Sequence, residues 1–338
     1  MADIGVLGAG TWGMALTRML SLTGHDVTVW SALPQEIEEF SRTRRQPNLP
    51  GMIIPDEVIF TSDIRQACES KDLLLFVVPS VFVRSTAAEA APFIPEGQLI
   101  ADAAKGIESG TLMTLTQVIS DELEKAGKTA RLVALSGPTH AEEVAKDLPT
   151  TIVAASHDED AALMVQRIFM NDVMRVYTND DITGVELCGA MKNIIALASG
   201  AALGLGYGDN TKAALITRGM HEITCLGIAM GCDSRTFSGL AGIGDLIVTA
   251  TSNHSRNNRC GHLIGQGLSP EDAIREVGMV VEGINAIPAA LELKDKYGID
   301  MPLVDAIDAV VNHGADPKQT VHHLMTRAPR SELEYRRS

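Results

Sequence analysis

Apolar and polar positions change period once along this chain, near residue 181. Before that point, apolar runs of four to six residues (3–7, 26–30, 58–61, 73–78, 98–101, 131–135, 151–155 and 173–177) alternate with amphipathic stretches such as 13–22, 35–44, 81–91 and 110–126. Short, near-continuous apolar runs fit strands buried on both faces, and their alternation with helical segments predicts a largely parallel, doubly wound sheet covered on both sides. Beyond it, apolar residues recur at helical steps: Val185, Cys188, Met191, Ile195 and Ala198 form one series, and 213–230 and 304–312 read similarly. The second half is expected to be all helical, interrupted by loops at 204–208, 238–244 and 250–258, where glycine and polar residues cluster. The pattern sets an α/β domain at 1–181 followed by an all-α domain at 182–338.

The first strand–helix junction reads Gly8-Ala9-Gly10-Thr11-Trp12-Gly13. Gly8 lets the chain turn sharply out of the strand, Gly10 leaves room where a pyrophosphate would approach, and Gly13 permits close contact between helix and strand. The helix beginning near Thr11 would aim backbone N–H groups and a partial positive charge at the phosphates. A turn used only for packing is the alternative, but the strand–turn–helix setting points to a Rossmann-type dinucleotide site. Such sites carry an acid that grips the ribose, or an Arg that receives the 2′-phosphate of NADP, at the end of the second strand. That end reads Val29-Trp30-Ser31-Ala32-Leu33, with neither, and Asp26 lies at the wrong end of the strand. Arg42, Arg44 and Arg45 either swing in or form a solvated helix end, so NAD and NADP both stay open.

Charge narrows the partners. A formal net charge of −15 opposes nonspecific binding to nucleic acid or anionic lipid, so any anionic substrate must be held by locally placed cations. The five cysteines are scattered with no C-x-x-C pair, which argues for buried thiols and against a disulfide framework. No uninterrupted apolar stretch of about 18 residues suggests membrane insertion, and Asp3 precedes any apolar run, unlike a secretory signal. A cytoplasmic location is expected. The tail from Arg327 to Ser338 carries both charge signs and reads as a solvated end.

Three further constellations carry chemistry. Lys105 in Ala104-Lys105-Gly106 follows a strand, at the carboxyl end where open α/β sheets bind ligands, although a lysine there can equally be a solvated one. Ser136-Gly137-Pro138-Thr139-His140-Ala141 follows the next strand and opens a helix, an arrangement suited to an anion or hydroxyl ligand, or merely to a capped turn. Lys192 shares a helix face with the small residues Cys188, Gly189, Ala196 and Ser199, which would let a flat ring approach its ammonium. A lysine in an apolar helix is costly unless paired or used. Burial and a second cation such as Lys105 would lower its pKa toward neutrality, which suits proton donation to a developing alkoxide; a structural salt bridge is the alternative. Downstream, Asp245 in a glycine-rich turn either orients an ammonium or caps a helix. Ser255, Arg256 and Asn257 offer a guanidinium fork and neutral donors to a phosphate, or form a polar surface loop. No convincing metal cluster is present, since His322-His323 has no companion at ligand spacing.

Together with Ala190-Met191-Lys192-Asn193, Ala213-Ala214-Leu215-Ile216-Thr217-Arg218-Gly219, Gly242-Ile243-Gly244-Asp245-Leu246, Asn253-His254-Ser255-Arg256-Asn257 and Val280-Val281-Glu282-Gly283, these motifs resemble the bacterial type of NAD(P)-dependent glycerol-3-phosphate dehydrogenase over nearly the whole chain. The resemblance implies reversible reduction of dihydroxyacetone phosphate to sn-glycerol 3-phosphate, the backbone precursor of phospholipids. It implies Lys192 as general acid/base, Lys105 beside the reacting oxygen and Asp245 orienting the lysines. It implies substrate contacts at Gly137, Thr139, Ser255, Arg256 and Asn257, the last two chiefly at the phosphate, and cofactor contacts at Thr11, Trp12, Lys105, Ala141, Arg256, Val280 and Glu282. Family members often carry Arg or His just after the second strand, and Ser31-Ala32-Leu33 departs from that.

Two other readings compete. One is a β-hydroxyacid dehydrogenase of the 6-phosphogluconate type, against which the Asn253–Asn257 and Gly242–Leu246 motifs weigh. The other is a nonenzymatic dinucleotide sensor, which has no need of Lys105, Lys192 and Asp245 together. The apolar helical half suggests a homodimer.

Overall fold

The computed structural model describes residues 1–329, 331 and 332. The remaining tail positions, 330 and 333–338, lie outside the described residues, so the expectation of a solvated end is untested there. The chain divides into two compact units, Met1–Lys105 with Met113–Ile182, and Gly106–Leu112 with the chain from Thr183 onward.

In the first unit, β1 (Asp3–Leu7), β2 (Asp26–Trp30), β3 (Ile59–Thr61), β4 (Leu73–Phe76), β5 (Gln98–Asp102), β6 (Ala130–Ser136), β7 (Thr150–Ala155) and β8 (Met174–Asn179) form one sheet in the order β3-β2-β1-β4-β5-β6-β7-β8. Neighbours run parallel except β6 and β7, which are antiparallel. The connecting helices are α1 (Thr11–Leu22), α2 (Pro34–Thr43), α3 (Ile64–Cys68), α4 (Val83–Ala90), α5 (Leu115–Lys125), α6 (Ala141–Val144) and α7 (Glu159–Phe169). Successive strand residues point to opposite faces, and the unbroken apolar runs serve both: Ile4, Val6, Leu73 and Leu75 join one core layer, while Leu7, Leu74 and Phe76 join the other. Local sequence sets the helix starts. Thr114 and Gln117 form a reciprocal capping box ahead of α5, and the Asp158 carboxylate accepts from Ala161 N at the start of α7, each such cap contributing about 1 kcal/mol.

Register aligns the carboxyl ends of the central strands. Leu7 lies opposite both Trp30 and Phe76, and Phe76 opposite Asp102, so the turns after β1, β2, β4 and β5 share one rim. The chain order reverses between β1 and β4, the switch point at which open α/β sheets bind ligands.

The second unit is built from α8 (Ile182–Gly204), α9 (Asp209–Ala229), α10 (Ser234–Phe237), α11 (Asp245–Thr251), α12 (Arg256–Gly265), α13 (Pro270–Val277), α14 (Glu282–Asn285), α15 (Ile287–Tyr297), α16 (Pro302–His313) and α17 (Pro317–Met325). Ile107, from the segment that joins this unit ahead of its main run, is buried in the same core as Met191, Ile195 and Leu226. By length and composition α8 is apolar enough to cross a membrane, but 89% of its apolar window is buried within the fold, as expected of a central core helix.

Two stretches expected to be loops are more ordered than their composition suggests. Residues Leu240–Gly244 form a π-helical turn that kinks at Gly242 and leads into α11. A Cβ at Gly242 would lie 2.2 Å from the Phe237 carbonyl oxygen, so this glycine serves close packing. Of 250–258, only 252–255 separates α11 from α12. Asn258 is committed internally: its Nδ2 donates to Ala250 O at 2.8 Å.

Candidate active site

The β1–α1 turn has the form a dinucleotide requires. Gly8 adopts φ +124°, a region that side-chain-bearing residues avoid, and a Cβ there would lie 2.8 Å from the Val77 carbonyl. A Cβ at Gly13 would lie 2.2 Å from Gly8 O, whereas the space beside Gly10 holds no atom within 4 Å of where its Cβ would be. The first amides of a helix have no partner within it, and here they flank that opening. Thr11 Oγ1 is buried with no hydrogen-bond partner, and Gln46 Nε2 braces the turn by donating to Ala9 O at 3.3 Å. Room at Gly10, helix-end amides and an orphaned hydroxyl fit a pyrophosphate. Trp12 packs partly buried against the core below.

At the end of β2 the structure supplies an acid that the stretch 29–33 lacks. The Ser31 hydroxyl donates to Glu36 Oε2 at 2.7 Å, returning the first turn of α2 to the strand end. The sequence signal was available: Pro34 marks the first helical position, which puts Glu36 in the first turn.

Two other rim loops come together within this unit. Lys105, just past β5, donates from Nζ to Gly137 O at 3.2 Å and lies 3.5 Å from Thr139 Oγ1. Gly137 takes φ +147° and has backbone of β7 within 3.0 Å of its would-be Cβ; beside it, Ser136 Oγ is buried without a partner. Thr139 Oγ1 donates back to Gly137 O, and Ala141 opens α6 immediately beyond. Lys105, Gly137 and Thr139 are therefore one cluster, just past the ends of the adjacent strands β5 and β6.

The second unit assembles the remaining residues. Helices α8 and α12 meet backbone to backbone: a Cβ at Gly200 would lie 2.0 Å from Asn258 O, and one at Gly261 would lie 2.0 Å from Leu197 O. This close crossing sets the registry of the side chains along it. Lys192 Nζ donates to Asp245 Oδ1 and to Thr249 Oγ1, both at 2.6 Å, and all three side chains are buried. Thr249 Oγ1 is 2.7 Å from Asp245 O, to which its proton goes, leaving a lone pair toward the lysine. Asn193 Oδ1 accepts from Asn257 Nδ2 at 2.9 Å, and Asn257 Oδ1 accepts from Gly283 N at 2.8 Å, pinning the Val280–Gly283 segment to the same place. Ser255 caps α12 by accepting from Asn258 N, so Arg256 stands at the helix's first position. Removing an ammonium and a carboxylate from water costs several kcal/mol per ion even when they pair. Such an arrangement suits controlled proton transfer.

Sequence reading passed over Asn193 and Thr249 as participants, although both stand one helical neighbourhood from residues it singled out: Asn193 follows Lys192, and Thr249 lies one turn from Asp245. Burial pushes the Cys68 thiol up to about 12 and the Cys260 thiol up to about 11, which suits neither to nucleophilic chemistry. Among the described residues, no group of three or more His, Cys, Asp or Glu side chains is placed to hold a metal ion.

A family model described as NAD-dependent glycerol-3-phosphate dehydrogenase N-terminus matches residues 3–162, and one described as NAD-dependent glycerol-3-phosphate dehydrogenase C-terminus matches residues 181–322. A glycerol-3-phosphate dehydrogenase (NAD(P)+) 2 of Lactobacillus delbrueckii subsp. bulgaricus is 68% identical across 98% of this chain and 99% of its own. A glycerol-3-phosphate dehydrogenase (NAD(P)+) of Agathobacter rectalis is 49% identical across 97% and 96%. The crystal structure of glycerol-3-phosphate dehydrogenase from Coxiella burnetii, 35% identical, matches with a TM-score of 0.92 over 96% of this chain and 99% of that one. In sequence and in fold, the chain belongs to the NAD-dependent glycerol-3-phosphate dehydrogenase family.

Proposed function

We propose that this chain reversibly reduces dihydroxyacetone phosphate to sn-glycerol 3-phosphate with NADH or NADPH, Lys192 acting as general acid/base. The observation that carries the reading is the buried Lys192–Asp245–Thr249 cluster, which holds one ammonium at a fixed point in an apolar helical core. Gly8, Gly10, Thr11, Trp12, Gly13 and Ala141 would hold the dinucleotide.

The bound cofactor supplies a hydride to the ketone carbon. As negative charge grows on the ketone oxygen, the Lys192 ammonium stabilises it and then gives up a proton to it; in the reverse direction the neutral amine takes that proton back. Asp245 fixes the position of Nζ by accepting one of its hydrogen bonds. Lys105, held by Gly137 and Thr139, offers a cation at the carboxyl rim of the sheet. Arg256, with Ser255 and Asn257, takes the phosphate through a guanidinium fork, and binding there, remote from the reacting carbon, pays for orientation at it. In this reading 1–181 carries the glycine turn for the dinucleotide and 182–338 carries the acid/base Lys192.

The product would feed phospholipid synthesis in the cytoplasm, and the apolar helical unit would support a homodimer. Adding dihydroxyacetone phosphate to the purified protein with NADH, and separately with NADPH, tests the reaction. Oxidation of either nucleotide with formation of sn-glycerol 3-phosphate is expected. No oxidation of either would leave the dinucleotide sensor as the better reading.

A further inference from the structure

We infer that this chain selects NADH over NADPH, and that Glu36, held in place by Ser31, is the residue that selects. The inference rests on the dinucleotide reading of the β1–α1 turn and goes beyond it.

The first observation is position. Leu7 pairs with Trp30 across β1 and β2, and Gly8 N donates to Trp30 O at 3.0 Å. Ser31, the next residue, thus stands beside the glycine turn on the same rim, at the strand end where doubly wound folds read the adenosine ribose. Ser31 is buried; its hydroxyl accepts from Leu33 N at 3.2 Å and donates to Glu36 Oε2 at 2.7 Å. One carboxylate oxygen is thereby anchored. The other, Oε1, has no hydrogen-bond partner among the described residues and can accept from a ribose hydroxyl, as the acid of an NAD site does.

The second observation is what a 2′-phosphate would find. It carries a charge of about −2 near neutrality and would meet a fixed carboxylate. The positions just past β2 are Ala32, Leu33, Pro34 and Gln35, with no cation. The Arg44 guanidinium is committed elsewhere: Nη1 donates to Val58 O at 2.7 Å, and the group lies 5.1 Å from the Phe60 ring centre. Arg42 sits six residues along α2 from Glu36, about 9 Å down the axis at the helical rise. The amino end of α2 offers little in its place, because Pro34 has no N–H and the amides of Glu36 and Ile37 both donate to Leu33 O. Hydroxyls are welcome at this rim and a phosphate is opposed.

The test is binding of each nucleotide to the intact protein without substrate, followed by nucleotide fluorescence. NADH should bind at least about tenfold more tightly than NADPH, one decade being about 1.4 kcal/mol. Glu36→Gln should narrow that ratio severalfold by improving NADPH, and Leu33→Arg combined with Glu36→Gln should reverse it. As an independent readout, 5′-AMP should displace NADH from the wild type more effectively than adenosine 2′,5′-bisphosphate does. Equal or tighter binding of NADPH by the wild type, or a ratio unmoved by Glu36→Gln in a variant that still binds NADH, overturns the inference and leaves the dinucleotide reading standing. Failure to bind either nucleotide overturns both.

Discussion

Lys192 Nζ and Asp245 Oδ1 lie 2.6 Å apart with both side chains out of water, so the charge of each depends on the other. Asp245→Asn removes the carboxylate that pairs with the buried ammonium, a change that typically costs about 3–5 kcal/mol for a buried pair. Thermal unfolding should register that loss. Turnover should fall by about 10²–10⁴, the usual contribution of a positioned acid/base, and Lys192→Ala should nearly abolish it. NADH binding should stay near the wild-type level in any folded Lys192→Ala protein. Near-normal turnover in Lys192→Ala would remove the acid/base assignment.

Thr249 tests whether the lysine must be aimed as well as charged. Its hydroxyl is 2.6 Å from Nζ and is itself oriented by Asp245 O at 2.7 Å. Thr249→Val keeps the shape and removes that partner; a hydrogen bond to a charged group contributes about 1.5–3 kcal/mol. The expected signature is a lower kcat for dihydroxyacetone phosphate with little change in KM. Thr249→Ser should restore most of the rate. If Val and Ser variants behave alike, Thr249 fills space only.

Arg256 stands at the first position of α12, and its predicted task is the substrate phosphate. Arg256→Ala should raise KM for dihydroxyacetone phosphate steeply while affecting a ketone without phosphate much less. Equal losses on both substrates would detach Arg256 from phosphate recognition.

The α/β half was readable because its strands are buried on both faces: a run such as Leu73–Phe76 can hardly be anything but a central strand beside helical neighbours. The glycine turn and Lys192 were readable for a related reason, since Gly8 and a lysine in an apolar helix each break a local rule. Less readable were features that depend on long-range pairing. Glu36 reaches Ser31 only because α2 begins at Pro34, and Asn258 looks like a loop residue until Ala250 O is found beside it. Gly242 falls in a stretch that reads as a loop by composition, yet it packs tightly against the Phe237 backbone, and Gly261 and Gly265 likewise let backbones touch. Periodicity reports which face is buried; it does not report how closely two helices approach.

Gly10 and Gly13 separate cofactor approach from folding. The space around a Cβ at Gly10 is open, whereas at Gly13 it would meet Gly8 O at 2.2 Å. Gly10→Ala should therefore fold with nearly unchanged thermal stability and lose cofactor affinity, because the added methyl group occupies the room left for pyrophosphate. Gly13→Ala should lose stability as well, since backbone must shift to admit it. Unchanged NADH affinity in Gly10→Ala would mean that the opening is not used by the cofactor.

Glu222 predicts how stability follows pH. On α9, it caps α16 from outside, accepting from Leu303 N at 3.0 Å, and it is almost wholly buried. Burial pushes its carboxyl up from 4.5 to about 8, with Asp300 and Asp305 adding to the rise and the amides of Leu303 and Val304 opposing it. Between those two values the folded chain holds a proton that the unfolded chain has released, so stability falls as pH rises through that window, by at most about 1.4 kcal/mol per pH unit. Below the unfolded value both states are protonated, and the penalty is absent. Glu222→Gln keeps an acceptor for Leu303 N and removes the titration. Its unfolding temperature should be close to wild type near about pH 5 and should exceed it by several degrees near about pH 9, the gap opening progressively between. Parallel stability curves for the two proteins across that range would show that Glu222 is not held protonated in the folded core.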